Sequence, residues 1–228
     1  MLSFQERFSL NFIEKGRYKY LVSGIENTLL ITIVAAAIGI ALGFLIAIIR
    51  STHDKTGRLR ILNALCKLYL TVIRGTPTTV QLLIVYFVIF SSVSRPMLSA
   101  FIAFGLNSAA YVAEIVRSGI MSIDPGQTEA GRSLGLSYAQ TMTYIIIPQA
   151  FKNVLPALTN EFIVLLKETS ICIAISLRDL TYGTQLISSQ TYDYMFPLLA
   201  GALIYLVIVV FLTWLFGKLE RSLRKNER

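Results

Sequence analysis

Long apolar stretches separated by short polar and basic clusters dominate this chain. No charged residue occurs from 29 to 49, and 20–28 continues the same helix outward, so the first predicted span is 20–49. The same pattern predicts spans at 75–94, 97–117 and 194–217. A bilayer core takes about 20 residues of helix, since every backbone polar group must be paired within the segment. A weaker stretch at 156–177 is also predicted to span, although it contains Glu161, Lys167 and Glu168. Five spans put the two ends on opposite sides of the membrane. Gly39 and Gly43 form a small-xxx-small pair on the first span, a signal of close helix packing.

Basic residues set the predicted orientation. Arg50, Lys55, Arg58, Arg60 and Lys67 sit between the first two spans against Asp54 alone. Lys218, Arg221, Arg224, Lys225 and Arg228 follow the last span against Glu220 and Glu227. Both clusters belong on the cytoplasmic side. The short links near Arg95 and between Leu177 and Tyr194 then face outward, as does the N-terminal segment. That segment carries Arg7, Lys15, Arg17 and Lys19, which run against the rule. Its charges and the lack of a small-residue cleavage site argue against a signal peptide. Phe4, Phe8, Phe12, Tyr18 and Tyr20 suggest a segment lying at the membrane interface.

Of the 228 residues 54% are hydrophobic and only 15% charged, well below the charge of soluble domains. A net charge of +8 suggests nucleic acid as a partner, but the charges lie in clusters between apolar runs, and that class is excluded. Cys66 and Cys172 stand apart with no metal spacing, and the single His53 sits in the basic link, so a metal site or a nucleophile–base pair has no residues to build it. No phosphate-cradling G-x4-G-K-[ST] loop occurs, so ATP is not expected to bind this chain. The chain reads as one domain, all-α and polytopic.

One loop, 118–152, is too polar to span and too patterned to be a simple linker. Asp124-Pro125-Gly126 predicts a turn, 127–133 a short helix with Thr128 as its N-cap, and 137–147 a second helix closed by Pro148. Within it, Glu129-Ala130-Gly131, then Gly135, then Ile145-Ile146-Ile147-Pro148 resembles the EAA-x3-G-x9-I-x-L-P loop of ABC importer permeases. Gly131 stands where that family usually has Ala, and Ile147 where it has Leu. Arg74-Gly75-Thr76-Pro77 with Gln81-Leu82, Asn160-Glu161-Phe162 and Lys167-Glu168-Thr169-Ser170 resemble its polar amino-acid branch, the histidine, arginine, lysine and glutamine type.

The resemblance implies a type I importer permease fold in a prokaryotic inner membrane, with the N-terminus outside and the C-terminus cytoplasmic. It implies dimerisation with a second permease chain, identical or similar. Further implied partners are two ATPase subunits carrying ATP and Mg²⁺, and an extracytoplasmic substrate-binding protein. Cofactors are expected on those ATPase subunits and not on this chain, which is a transporter subunit and not itself an enzyme. The loop residues Glu129, Ala130, Gly131, Arg132 and Gly135 would dock into the ATPase, the small Ala130, Gly131 and Gly135 letting the helix enter a cleft. Glu129 and Arg132, three apart, can pair across one turn or reach partner charges.

Ionisable residues within the membrane are candidate functional groups. Glu161 and Glu168 share a helix face, on the order of 10 Å apart, with Asn160 and Lys167 on the neighbouring stripe. Such a helix suits a zwitterionic amino acid: Glu161 for an ammonium or cationic side chain, Lys167 for the carboxylate. A structural ion pair among Glu161, Lys167 and residues of the other helices is the competing reading. Arg74, Thr78 and Gln81, and likewise Asn107, Tyr111 and Glu114, follow helical spacing and face a cavity or a neighbouring helix. Thr78, Gln81, Asn107 and Tyr111 are candidate substrate contacts, whereas Arg74, Glu114 and Pro77 suit gating or structure. The alternative function is an ion-gradient-driven secondary transporter or channel using Glu161 and Lys167, which corresponding half-repeats would favour; none is seen.

Overall fold

The computed structural model describes residues 3–92 and 95–225, with side chains described as far as residue 223. It is helical throughout, and no strand occurs among the described residues. A short helix α1 (Phe4–Phe8) leads through two irregular turns into α2 (Tyr18–Thr56). Then follow α3 (Arg60–Arg74), α4 (Thr78–Ile84, prolonged by a wide turn Val85–Ile89) and α5 (Pro96–Met121). The polar loop forms α6 (Pro125–Ser133) and α7 (Tyr138–Thr141, prolonged by Met142–Ile146). The chain continues as α8 (Ile147–Glu168), a tight turn Thr169–Ile175, α9 (Leu180–Thr191) and α10 (Met195–Lys225).

The bundle centres on α2 packed along α5, and small residues explain why the two axes come so close. A Cβ on Gly39 would lie 2.7 Å from Ser108 Oγ, and one on Gly43 would lie 2.6 Å from Val112 Cγ1. From the other side, a Cβ on Gly105 would meet Ile38 at 2.8 Å. Ile31, Ala35, Ala100, Ala103 and Phe104 fill the adjoining core. With no water to expel between apolar helices in lipid, such close van der Waals packing is what holds them.

Three helices among the described residues are long and apolar enough to cross a membrane alone: α2, α5 and α10. The expected span at 75–94 takes another form. Its helical part among the described residues is α4 and its wide turn, joined to α3 through a bend of 105°, and the pair makes a fourth span only if counted together. Pro77 causes the bend, because it offers no N–H and pushes Thr76 out of the helical region. Part of the predicted run, residues 93 and 94, lies outside the described residues.

Several other boundaries differ from the sequence reading. The link between the first two spans is mostly helix: α2 runs past its apolar stretch to Thr56, where Gly57 at φ +67° ends it, and α3 follows. Polar residues outside the lipid continue a helix at little cost, so hydropathy does not mark its end. The stretch predicted to span at 156–177 falls on α8, which starts earlier at Ile147, and on the tight turn Thr169–Ile175. Among the described residues, α8 is not one of the helices apolar enough to cross a membrane alone. Pro148 does not close the preceding helix, because it sits in the first turn of α8, where the missing N–H is not needed. The link after Leu177, expected to be short, is largely the helix α9. Asp179 caps it, accepting from Thr181 N at 3.1 Å and Tyr182 N at 2.9 Å.

The N-terminal segment is pinned onto α9 and the start of α10. Phe12 packs with Leu180 and Ile187. The buried Asn11 donates to Asp193 at 3.1 Å and accepts from Thr191 at 2.8 Å. Phe4 and Phe8 remain exposed.

Candidate transport pathway and coupling surface

The candidate residues fall into three groups. The first joins α8 to α5. Glu161 is half-buried and accepts a hydrogen bond from Ser108 Oγ at 3.1 Å. The structure therefore pairs it with a hydroxyl and not with Lys167. Asn160 and Lys167 are exposed on the flank of α8, and Glu168 is half-buried at its last turn. The two predicted stripes are present, one turned inward and one outward.

The second group stabilises the α3–α4 bend. Asn107, buried in α5, donates to Gln81 Oε1 at 3.0 Å. The Gln81 amide nitrogen in turn reaches the carbonyl oxygens of Ile73 at 2.7 Å and Thr76 at 3.0 Å. The last carbonyls of a helix lack partners within it, so Gln81 acts as a side-chain cap on α3. Both residues were candidate substrate contacts, yet here their polar groups hold the bend. Thr78 is half-buried at the start of α4, next to Pro77.

The third group gathers around Glu114. Its Oε2 accepts from Arg50 Nη1 at 2.8 Å and lies 3.7 Å from Arg74 Nη1, while Oε1 accepts from Arg117 Nη2 at 2.9 Å. Arg117 also reaches Asp54 at 3.4 Å. The Arg74 guanidinium stands over the Tyr111 ring, 5.6 Å from its centroid. Arg74, Tyr111, Glu114, Ser118, Asn153 and Ala157 line part of an open groove of about 420 Å³. Helical spacing identified Arg74, Tyr111 and Glu114. Arg117, three residues on in the same helix, is a partner that spacing also gives; Arg50 is not, because its pairing depends on how α2 sits against α5.

The polar loop forms a compact surface feature. Asp124, and not Thr128, caps α6: its carboxylate accepts from Gly126 N at 2.7 Å, one residue after Pro125 opens the helix. Ser137 and Gln140 cap α7 reciprocally. Between them the chain turns through Gly135 at φ +82°. Gly135 N bonds to Arg132 O at 2.9 Å and Leu136 N to Gly131 O at 3.1 Å, the paired bonds of a Schellman ending. Gly131 differs from expectation. It is buried, and a Cβ there would lie 2.7 Å from Thr141 Cγ2, so its small size lets α6 rest on α7. Glu129, Ala130 and Arg132 stay exposed. Sequence reasoning missed Leu134, 79% exposed at the tip beside Gly135. Its signal was an apolar residue next to the turn glycine of a polar loop. Tyr138, half-buried in the same loop, has its phenol pushed up by burial.

Comparisons with known proteins agree with this architecture. The pattern of the family described as binding-protein-dependent transport system inner membrane component matches residues 39–225. The arginine transport system permease protein ArtQ of Bacillus subtilis (strain 168) is 39% identical, over 91% of this chain and 94% of that protein. The glutamine transport system permease protein GlnP of Escherichia coli (strain K12) is 34% identical, over 90% and 93%. A solved amino acid ABC transporter crystallised with histidines aligns with a TM-score of 0.82 at 41% identity, covering 92% of this chain and 98% of that one. The inward-facing methionine ABC transporter MetNI shares the fold at a TM-score of 0.74 and 19% identity. This chain belongs to the family of binding-protein-dependent transport system inner membrane components, the ABC transporter permeases.

Proposed function

We propose that this chain is the membrane-spanning subunit of an ATP-driven importer of polar amino acids, basic ones among them. The observation that carries the substrate class is the likeness, over nine-tenths of the chain, to permeases named for arginine and glutamine. Two permease chains, this one and a second copy or a similar chain, enclose the pathway. Two ATPase subunits bind ATP and Mg²⁺, and an extracytoplasmic protein delivers the substrate. The chain crosses the inner membrane five times, counting α3–α4 and α8 as spans, with its N-terminus outside and its C-terminus in the cytoplasm.

In this reading the exposed edge of α6, with Glu129, Ala130, Arg132 and Leu134, docks into the ATPase. The Schellman turn at Gly135 holds that edge at a fixed angle to α7, so a movement of the ATPase is passed on to α8. Glu161 receives the ammonium or cationic side chain of the substrate, and Lys167 favours its carboxylate. A carboxylate with a single hydroxyl partner among the described residues keeps acceptor capacity for a cation. Asn160, Glu168, Tyr111 and Thr78 border the same path. Arg74, Glu114 and Pro77 shape its gate, and Asn107 and Gln81 set the bend beside it. As the carrier alternates between outward and inward openings, Glu161 would be reachable from each side in turn.

The test is ATP hydrolysis by the complex reconstituted with its binding protein. Arginine, lysine, histidine or glutamine should stimulate it several-fold. If no amino acid does, the substrate assignment is wrong and only the importer class stands.

A further inference from the structure

We infer that the groove between α2, α3 and α5 binds the phosphate headgroup of an anionic phospholipid. The groove, about 520 Å³, is lined by Arg50, Lys67, Thr71, Arg74, Gly75 and Glu114, among others. The charges around it do not balance. Arg50, Lys67, Arg74 and Arg117 bring four positive charges, while Glu114 and Asp54 bring two negative ones. Arg117 takes Glu114 Oε1 and Asp54, so Arg50 and Arg74 converge on the one remaining oxygen of Glu114. Among the described residues, the buried Nε of Arg50 has no hydrogen-bond partner. Two guanidiniums crowded on one oxygen, with an ammonium nearby, call for a further oxyanion.

The neighbouring surface says which source of oxyanion fits. On α3, Ile61, Leu65, Leu68 and Val72 form one exposed apolar row at helical spacing. By the same spacing, that row is centred roughly 120° around α3 from Lys67, Thr71 and Arg74, and the two faces adjoin at Leu68 and Thr71. A phosphate in the groove would leave acyl chains to run along the row. A free phosphate makes no use of that row. Basic grooves between membrane helices on the cytoplasmic side suit anionic headgroups in general. The inference rests on the membrane placement proposed above and is independent of which amino acid is carried.

Native mass spectrometry of the full chain in its complex tests it, after incubation with phosphatidylglycerol or phosphatidylcholine of matched acyl chains. Phosphatidylglycerol should be retained at least fivefold better, and Lys67→Gln should lower that retention about fivefold while Lys67→Arg restores it. Equal retention of the two lipids, or no change in Lys67→Gln, would overturn the assignment. Binding of inorganic phosphate with no phosphatidylglycerol retained would overturn the lipid source and leave a soluble oxyanion site. Displacement of the lipid by arginine or glutamine would overturn it in favour of a substrate carboxylate. Amino-acid-stimulated ATP hydrolysis by wild-type complex would stand whichever way these results fall.

Discussion

Two carboxylates in this bundle meet opposite surroundings. Glu114 on α5 is held by arginines from α2, α3 and α5 itself, and so ties three helices together. Glu161 on α8 has one hydroxyl from Ser108, itself positioned by the close approach of Gly39. A carboxylate surrounded by guanidiniums is spent on structure, whereas one with a single neutral partner can still take a cation. Both are charged residues in apolar helices, and position in the sequence does not tell them apart. The difference lies in what the neighbouring helices bring.

The comparison can be broken experimentally, and the largest effect belongs to Glu114. Glu114→Ala leaves Arg50, Arg74 and Arg117 facing one another and should cost roughly 2–3 kcal/mol, allowing for partial exposure. A lowered thermal midpoint of the purified complex would show it, and an unchanged midpoint would deny Glu114 its fastening role. Next comes Glu161→Gln, which should leave that midpoint in place, because the amide oxygen can still accept from Ser108. Uptake of a cationic amino acid should nevertheless fall about tenfold, a loss of roughly 1.4 kcal/mol. Gly135→Ala sharpens the third group: the new Cβ meets nothing within 4 Å, so only the left-handed backbone opposes it. A cost of about 1 kcal/mol is expected, seen as more ATP hydrolysed per amino acid transported. Smallest is Ser108→Ala, expected to cost about 1 kcal/mol or less and to shift substrate affinity only slightly.

Hydropathy made α2, α5 and α10 legible, because an uninterrupted apolar run leaves the backbone no alternative to a helix in lipid. The loop motif was legible too, down to the turn at Gly135. What escaped was decided by partners far along the chain. The basic residues of α3 read as a link, although its apolar row makes it a helix. The stretch between Leu177 and Tyr194 read as a short link, although it holds α9, capped by the fully buried Asp179. Asn107 and Gln81 read as ligand contacts, because helical spacing gives a residue's face but not whether a neighbouring amide already occupies it. Gly131 read as a surface for a partner, and its own loop turned out to need the space.

The most direct test is the ratio of arginine to glutamine uptake in proteoliposomes containing the whole complex, wild type against Glu161→Gln. Arginine uptake should fall about tenfold while glutamine uptake changes little, so the ratio falls by a similar factor. An unchanged ratio, with both uptakes intact, would contradict it and make Glu161 a structural residue like Glu114.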